Sequence, residues 1–159
     1  MAGSRFLTDT SLEAFARRLR LLGYDVVTLH GARLEQLLDA ARTGGRTVLT
    51  LSARHPKRFR DVPAIVVRRS DPMGSLRAIA ATCVPAGPPF SRCCFCNHPL
   101  EHRPSSEASG AAPDEVVWST PRLDHCAACG RWYWHGSHVD RVREWLEEAL
   151  GRPLVPPPA

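Results

Sequence analysis

Lysine is almost missing from this chain of 159 residues: Lys57 stands alone against 20 arginines. Alanine and proline are abundant, so the arginine bias reports a GC-rich coding sequence as much as a function. Where the positive charge sits therefore says more than its total. Long apolar runs are lacking as well. None reaches the roughly 18 residues of a membrane span, and the first apolar stretch is broken by Arg17, Arg18 and Arg20. That pattern argues against both a membrane span and a secretory leader, and the expected setting is cytoplasmic. No internal repeat is seen beyond one pair of cysteine motifs. Hydrophobic residues at 43% and charged residues at 23% lie near the globular average, which excludes a mostly disordered or fibrous chain.

The length suits one domain, or one domain with a small appendage. The net charge of +5 is unevenly shared: residues 1–90 carry +7 and residues 91–159 carry −2. A polyanionic partner is expected on the first segment, against the plainer alternative of an ordinary solvated surface.

Along that segment strand and helix signals alternate. Arg5 to Thr8 reads as a first strand ending on Asp9, and Thr10-Ser11-Leu12-Glu13 has the form of a capping box. Leu12, Phe15, Ala16, Leu19 and Leu22 then form one helical stripe with Arg17, Arg18 and Arg20 off it, and Gly23 stops the helix. Tyr24 to Leu29 reads as a second strand, and Leu34, Leu37, Leu38 and Ala41 mark a second helix ending at Gly44-Gly45. Thr47 to Leu51 and Ala64 to Val67 are continuous apolar runs, the mark of strands covered on both faces. Ser70-Asp71-Pro72 introduces a further helix through Leu76 and Ile79. This order predicts an α/β fold with a parallel sheet flanked by helices.

Val84 to Pro89 is a boundary rich in Pro and Gly. Beyond it lie few aliphatic residues, a polar stretch from Glu101 to Asp114 that reads as a long loop, and a final helix opened by Ser137. The expected division is 5–84 for the sheet domain, 90–150 for a small ribbon with a C-terminal helix, and 151–159 for a disordered Pro-rich tail.

Cys93 and Cys96, and Cys126 and Cys129, form two Cys-x-x-Cys pairs separated by 29 residues. Two such turns can present four thiolates tetrahedrally to one structural zinc, and Gly130 suits the tight turn after the second. The bland alternative is a pair of redox dithiols. Cys94 falls outside the knuckle register, and Cys83 reads as a small buried hydrophobe. His98, His125, His135 and His138 read as solvated.

Ligands of open parallel sheets collect beyond the carboxyl ends of the strands. Asp9 and Asp71 follow strands one and four, and Glu35 opens the second helix, so three carboxylates are candidates to hold Mg²⁺ or Mn²⁺. Each also suits a plain capping or helix-dipole role. Arg54, Lys57, Arg58, Arg68 and Arg69 lie beside them as candidate phosphate contacts.

Arg5-Phe6-Leu7-Thr8-Asp9, Leu19 through Asp25, Val48-Leu49-Thr50 and Val67 through Pro72 resemble the Mut7-C RNase domain family. Pro89 through Cys93, Cys126 through Gly130 and Tyr133 through His138 are similar to that family's zinc ribbon. The resemblance implies a PIN-like nuclease domain fused to a zinc ribbon, with metal-dependent cleavage of RNA phosphodiesters. In one respect the chain departs from the family: it has Thr50-Leu51-Ser52 where an Asp usually follows, so Ser52 supplies no negative charge. Asp25 and Asp61 are candidate substitutes. The function expected is a ribonuclease using Asp9, Glu35 and Asp71, with Trp132, Tyr133 and Trp134 of the ribbon facing bases or packing its core. The alternatives are a catalytically impaired RNA-binding module and an adaptor that recruits a protein partner through the ribbon.

Overall fold

The computed structural model describes residues 3–155. Strands β1 (Arg5–Asp9), β2 (Asp25–Leu29), β3 (Thr47–Thr50) and β4 (Ala64–Val66) form a parallel sheet in the order β2-β1-β3-β4. Helices α1 (Glu13–Leu21), α2 (Leu34–Gly44), α3 (His55–Arg58) and α4 (Pro72–Thr82) fill the connections. Because successive strand residues point to opposite faces, neighbours divide between two cores. Phe6, Val26 and Leu49 face α1, α4 and the last helix, whereas Leu7 and Val48 face Leu37, Leu38 and Ala41 of α2. The apolar runs in the sequence are thus explained by helices on both sides of the sheet.

The predicted capping box at Thr10 does not form. The chain makes one tight helical turn over Thr10–Leu12, capped by Asp9, whose Oδ1 accepts from the Ser11 backbone N–H at 2.8 Å. Asp9 is a charged acceptor placed one residue earlier, and Glu13 is drawn away to Arg17 and Arg20.

Arg20 is the larger surprise. It is 1% exposed, although the sequence pattern sets it off the apolar stripe of α1. Its Nε donates to Val26 O at 2.8 Å, Nη2 to Thr28 Oγ1 at 2.7 Å, and Nη1 to Glu13 Oε1 at 3.1 Å and Cys94 O at 2.9 Å. A guanidinium can enter a core only when its donors are met, and here they tie α1 and β2 to the second half of the chain.

The stretch from Glu101 to Asp114 is built rather than looped. It holds β5 (Glu101–Pro104) and a helical turn at Ser105–Ala108, then leads into α5 (Asp114–Ser119). β5 pairs antiparallel with β6 (Arg122–His125), which pairs with β7 (Trp132–Tyr133). All four β5 side chains are exposed, so the strand has no apolar alternation to read. Helix α6 (Ser137–Leu150) starts from Gly136 with no side-chain cap, then returns to the sheet. There Leu146, Ala149 and Leu154 join the core that contains Phe6. Leu154 is buried and its N–H donates to Glu147 Oε1 at 2.9 Å, while residues 156–159 of the expected tail lie outside the described residues.

The Pro- and Gly-rich boundary is also held down. Ala86 and Gly87 donate to Gly23 O, and Phe90 donates to Leu21 O. Gly23 sits at φ +88, and a Cβ there would lie 2.1 Å from Gly87 O, so the close approach of the two segments requires glycine.

Candidate functional site

The two cysteine turns are copies of each other. In the first, Cys93 N–H donates to His98 O at 2.8 Å and Asn97 N–H to Cys93 O at 2.9 Å. In the second, Cys126 N–H donates to Arg131 O at 2.9 Å and Gly130 N–H to Cys126 O at 2.8 Å. The residue after each pair is left-handed, Asn97 at φ 69 and Gly130 at φ 73. Gly is the residue such a turn favours, and Asn is the usual second choice. Asn97 also reaches across to the sheet edge, where Oδ1 accepts from Val26 N–H at 2.9 Å and Nδ2 donates to Asp25 Oδ1 at 2.6 Å.

The four sulfurs of Cys93, Cys96, Cys126 and Cys129 lie within 4.8 Å of one another, with Cys93–Cys129 at 3.6 Å and Cys96–Cys126 at 3.3 Å. Ligands about 2.3 Å from one zinc would stand about 3.8 Å apart in a tetrahedron, so this donor set fits that ion. Around it, the Cys96 amide approaches Cys93 Sγ at 3.4 Å and the Tyr133 hydroxyl sits 3.0 Å from the same sulfur. Burial works to raise the Cys129 thiol, but hydrogen bonds from the Arg131 side chain and backbone override it and bring it down to about 6. One ligand is therefore inclined to be thiolate at neutral pH, the form a metal binds. Cys94 Sγ contacts the Tyr133 hydroxyl only loosely, at 3.9 Å, and Cys83 lies apart on the α4 side.

The other predicted residues gather by element and not by direct contact. Asp9 ends β1, the strand from which the sheet extends in both directions, and Asp71 caps α4 by accepting from Gly74 N–H at 2.8 Å. Gly74 is needed there, since a Cβ would fall 2.0 Å from Asp71 Oδ2. Glu35 lies in the first turn of α2 and is exposed, as is Ser52 just past β3. Among the described residues the four cysteines are the one group of three or more potential ligands within 4.8 Å, so Asp9, Glu35 and Asp71 do not all close to that distance. Asp25 and Asp61 are not substitutes. Asp25 opens β2 at the opposite end of the sheet, where Arg46 binds it at 2.9 Å, and Asp61 pairs with Arg42 at 2.7 Å.

Arg54, Lys57, Arg58, Arg68 and Arg69 are all exposed on the segments that leave β3 and β4. None forms an ion pair among the described residues, whose ion pairs involve other arginines and His102. Under them His55 is buried on α3 against the Phe59 ring, and desolvation lowers its pKa, favouring the neutral form. Trp132 and Trp134 pack on the small ribbon core of Ala108, Ala112 and Leu123, and Tyr133 faces the sulfurs. Sequence reasoning missed Arg20 and Asn97. Arg20 sits four residues after Ala16 and so shares its buried face, and Asn97 occupies the place of Gly130 in the matching turn.

The fold is an α/β domain with a four-stranded parallel sheet flanked by helices, joined to a small antiparallel sheet beside four cysteines that could hold a metal ion. The chain belongs to the Mut7-C RNAse domain family, whose model matches residues 4–146. No curated protein and no solved structure matches the chain.

Proposed function

We propose that the chain is a ribonuclease that hydrolyses RNA phosphodiesters at the carboxyl edge of its sheet, with zinc confined to the ribbon. Membership of an RNase domain family is the observation that carries this reading. Asp9 and Asp71 each commit one carboxylate oxygen to a backbone cap, and no protein hydrogen bond to either Oδ2 is seen among the described residues. Asp9, Asp71 and Glu35 would hold Mg²⁺ or Mn²⁺, with waters completing the shell, since hard ions keep several. The ion would supply charge neutralisation and an acidified water. Arg54, Lys57, Arg58, Arg68 and Arg69 bind and orient the phosphate backbone, and Ser52 offers a hydroxyl. The four cysteines leave no open position, so zinc there stabilises and does not react.

A second reading is favoured by Ser52 and by the spread of the three acids: an RNA-binding module with impaired catalysis. Asp9→Asn separates the two. With Mn²⁺ present, the ribonuclease reading expects wild-type cleavage of single-stranded RNA and its loss in Asp9→Asn, with salt-dependent binding retained. Binding without cleavage by the wild type overturns it in favour of the module. RNA affinity that is insensitive to salt excludes both and leaves the adaptor.

A further inference from the structure

We propose that the cavity between α1, the ribbon and the start of α6 receives one unpaired base of an RNA strand. This rests on the RNA-directed reading above and adds a second point of contact away from Asp9. The cavity measures about 380 Å³, within the roughly 300–1,000 Å³ of ligand pockets, and Phe90, Phe95, Tyr133 and Trp134 line it together with Val139. Unpaired RNA bases are held on aromatic faces and guanidinium planes, and this cavity offers both. Arg17 and Arg92 line it, with the Arg17 guanidinium 4.6 Å from the Phe95 ring centroid, while Arg131 and Arg143 lie outside the lining against the same rings, 4.3 Å from the Phe95 centroid and 4.9 Å from that of Phe90. An aliphatic ligand would need none of these cations. A flat ring on a polyanionic backbone uses the apolar walls and the charged rim together.

The cavity also carries an element of choice. Asp124 lines it, with Oδ1 2.6 Å from His102 Nδ1. Its carboxyl oxygens can accept from an exocyclic amino group, which adenine, cytosine and guanine carry and uracil lacks. Adenine, cytosine and guanine are therefore preferred to uracil. Asp9 leads through the turn at Thr10–Leu12 into α1, and Arg17 lies four residues beyond the start of that helix, about 6 Å along its axis, so a strand engaged at the carboxyl edge would run beside α1 to reach the cavity.

The test titrates the zinc-loaded full chain with hexaadenylate and hexauridylate, following the Trp134 indole and the backbone amides by NMR. Saturable shifts at Trp134 and Val139, stronger for hexaadenylate, are expected. Val139→Trp fills the cavity and should weaken hexaadenylate binding at least about fivefold, the low end of a lost base stack. Arg17→Gln, on an exposed helix position, should weaken it with zinc content and circular dichroism unchanged, and it decides the matter if Val139→Trp does not fold. Shifts confined to residues 54–69, wild-type affinity in a folded, zinc-loaded variant, or occupation by an apolar peptide in place of RNA would each overturn the proposal. Asp9→Asn must retain the Trp134 shift. Base binding without cleavage defeats the nuclease reading alone, and cleavage without a Trp134 shift defeats this inference alone.

Discussion

The sheet and the ribbon are held by different physics. The sheet sits between two cores that bury side chains as large as Phe6, Phe15, Leu49 and Tyr24, whereas the ribbon's own cluster buries only Ala108, Ala112 and Leu123. Hydrophobic burial scales with apolar area, so the ribbon gains less from that term, and a metal held by its four cysteines is expected to supply the rest. The two regions are nevertheless joined. The ribbon lies between α4 and α6 in the chain, α6 packs back on the sheet core, and Arg20 and Asn97 bind the first knuckle to β2. Their stabilities should thus be separable, with one identifiable seam between them.

The largest effect should come from the metal. One zinc per chain is expected by metal analysis, and structural zinc binding is worth about 10–16 kcal/mol apparent. Chelation, or Cys126→Ser, should strip hydrogen-exchange protection from β5, β6 and β7 and from the Val26 amide that Asn97 covers, while the rest of β1 to β4 keeps its own. Simultaneous loss in both regions would show that they are one cooperative unit.

Arg20→Met attacks the seam. It leaves Glu13 with Arg17 as its one arginine partner and the Cys94 carbonyl without its donor, and should cost about 3–5 kcal/mol in denaturant unfolding. Zinc release should also quicken in this variant, which a loss confined to the sheet would not produce. Leu49→Ala, by contrast, should cost about 2–5 kcal/mol in the sheet and leave the zinc content unchanged.

The smallest effect is on pH dependence. Burial works to raise the Asp25 carboxyl, but hydrogen bonds from Arg46 and Asn97 bring it below its ordinary 3.8. Glu13, also opposed by burial, is held below 4.5 by Thr28, Arg20 and Arg17. Both folded values are depressed, so their contributions are fully present above the unfolded values and are lost as pH falls through the folded ones. Thermal midpoints should fall below about pH 4.5, and Asp25→Asn should flatten the acid limb of that curve. His55 is likewise lowered, by desolvation, so acid costs stability there in an earlier step below 6.5, which His55→Asn should remove.

Much of this architecture was legible in the residues. Val48-Leu49 and Ile65-Val66 announce strands covered on both faces, and the Cys-x-x-Cys spacing announces the sulfur cluster, because local periodicity and motif geometry determine both. What escaped depended on distant partners. Glu101 to Pro104 becomes a strand through backbone pairing with β6, which leaves no mark on exposed side chains. Arg20 is buried because carbonyls 74 and 75 residues away meet it. The carboxylates were legible as elements at one edge of the sheet. Their spacing was not, since it follows from how each loop caps its helix.

Asn97 has a consequence beyond joining two regions. β2 is an outer strand, and the carboxamide of Asn97 occupies its Val26 N–H, a group that would otherwise be free to recruit another chain. The ribbon thus covers part of the open edge of the sheet. Starving the protein of zinc would cost more than a folded appendage, because it would open a template for edge-to-edge self-association.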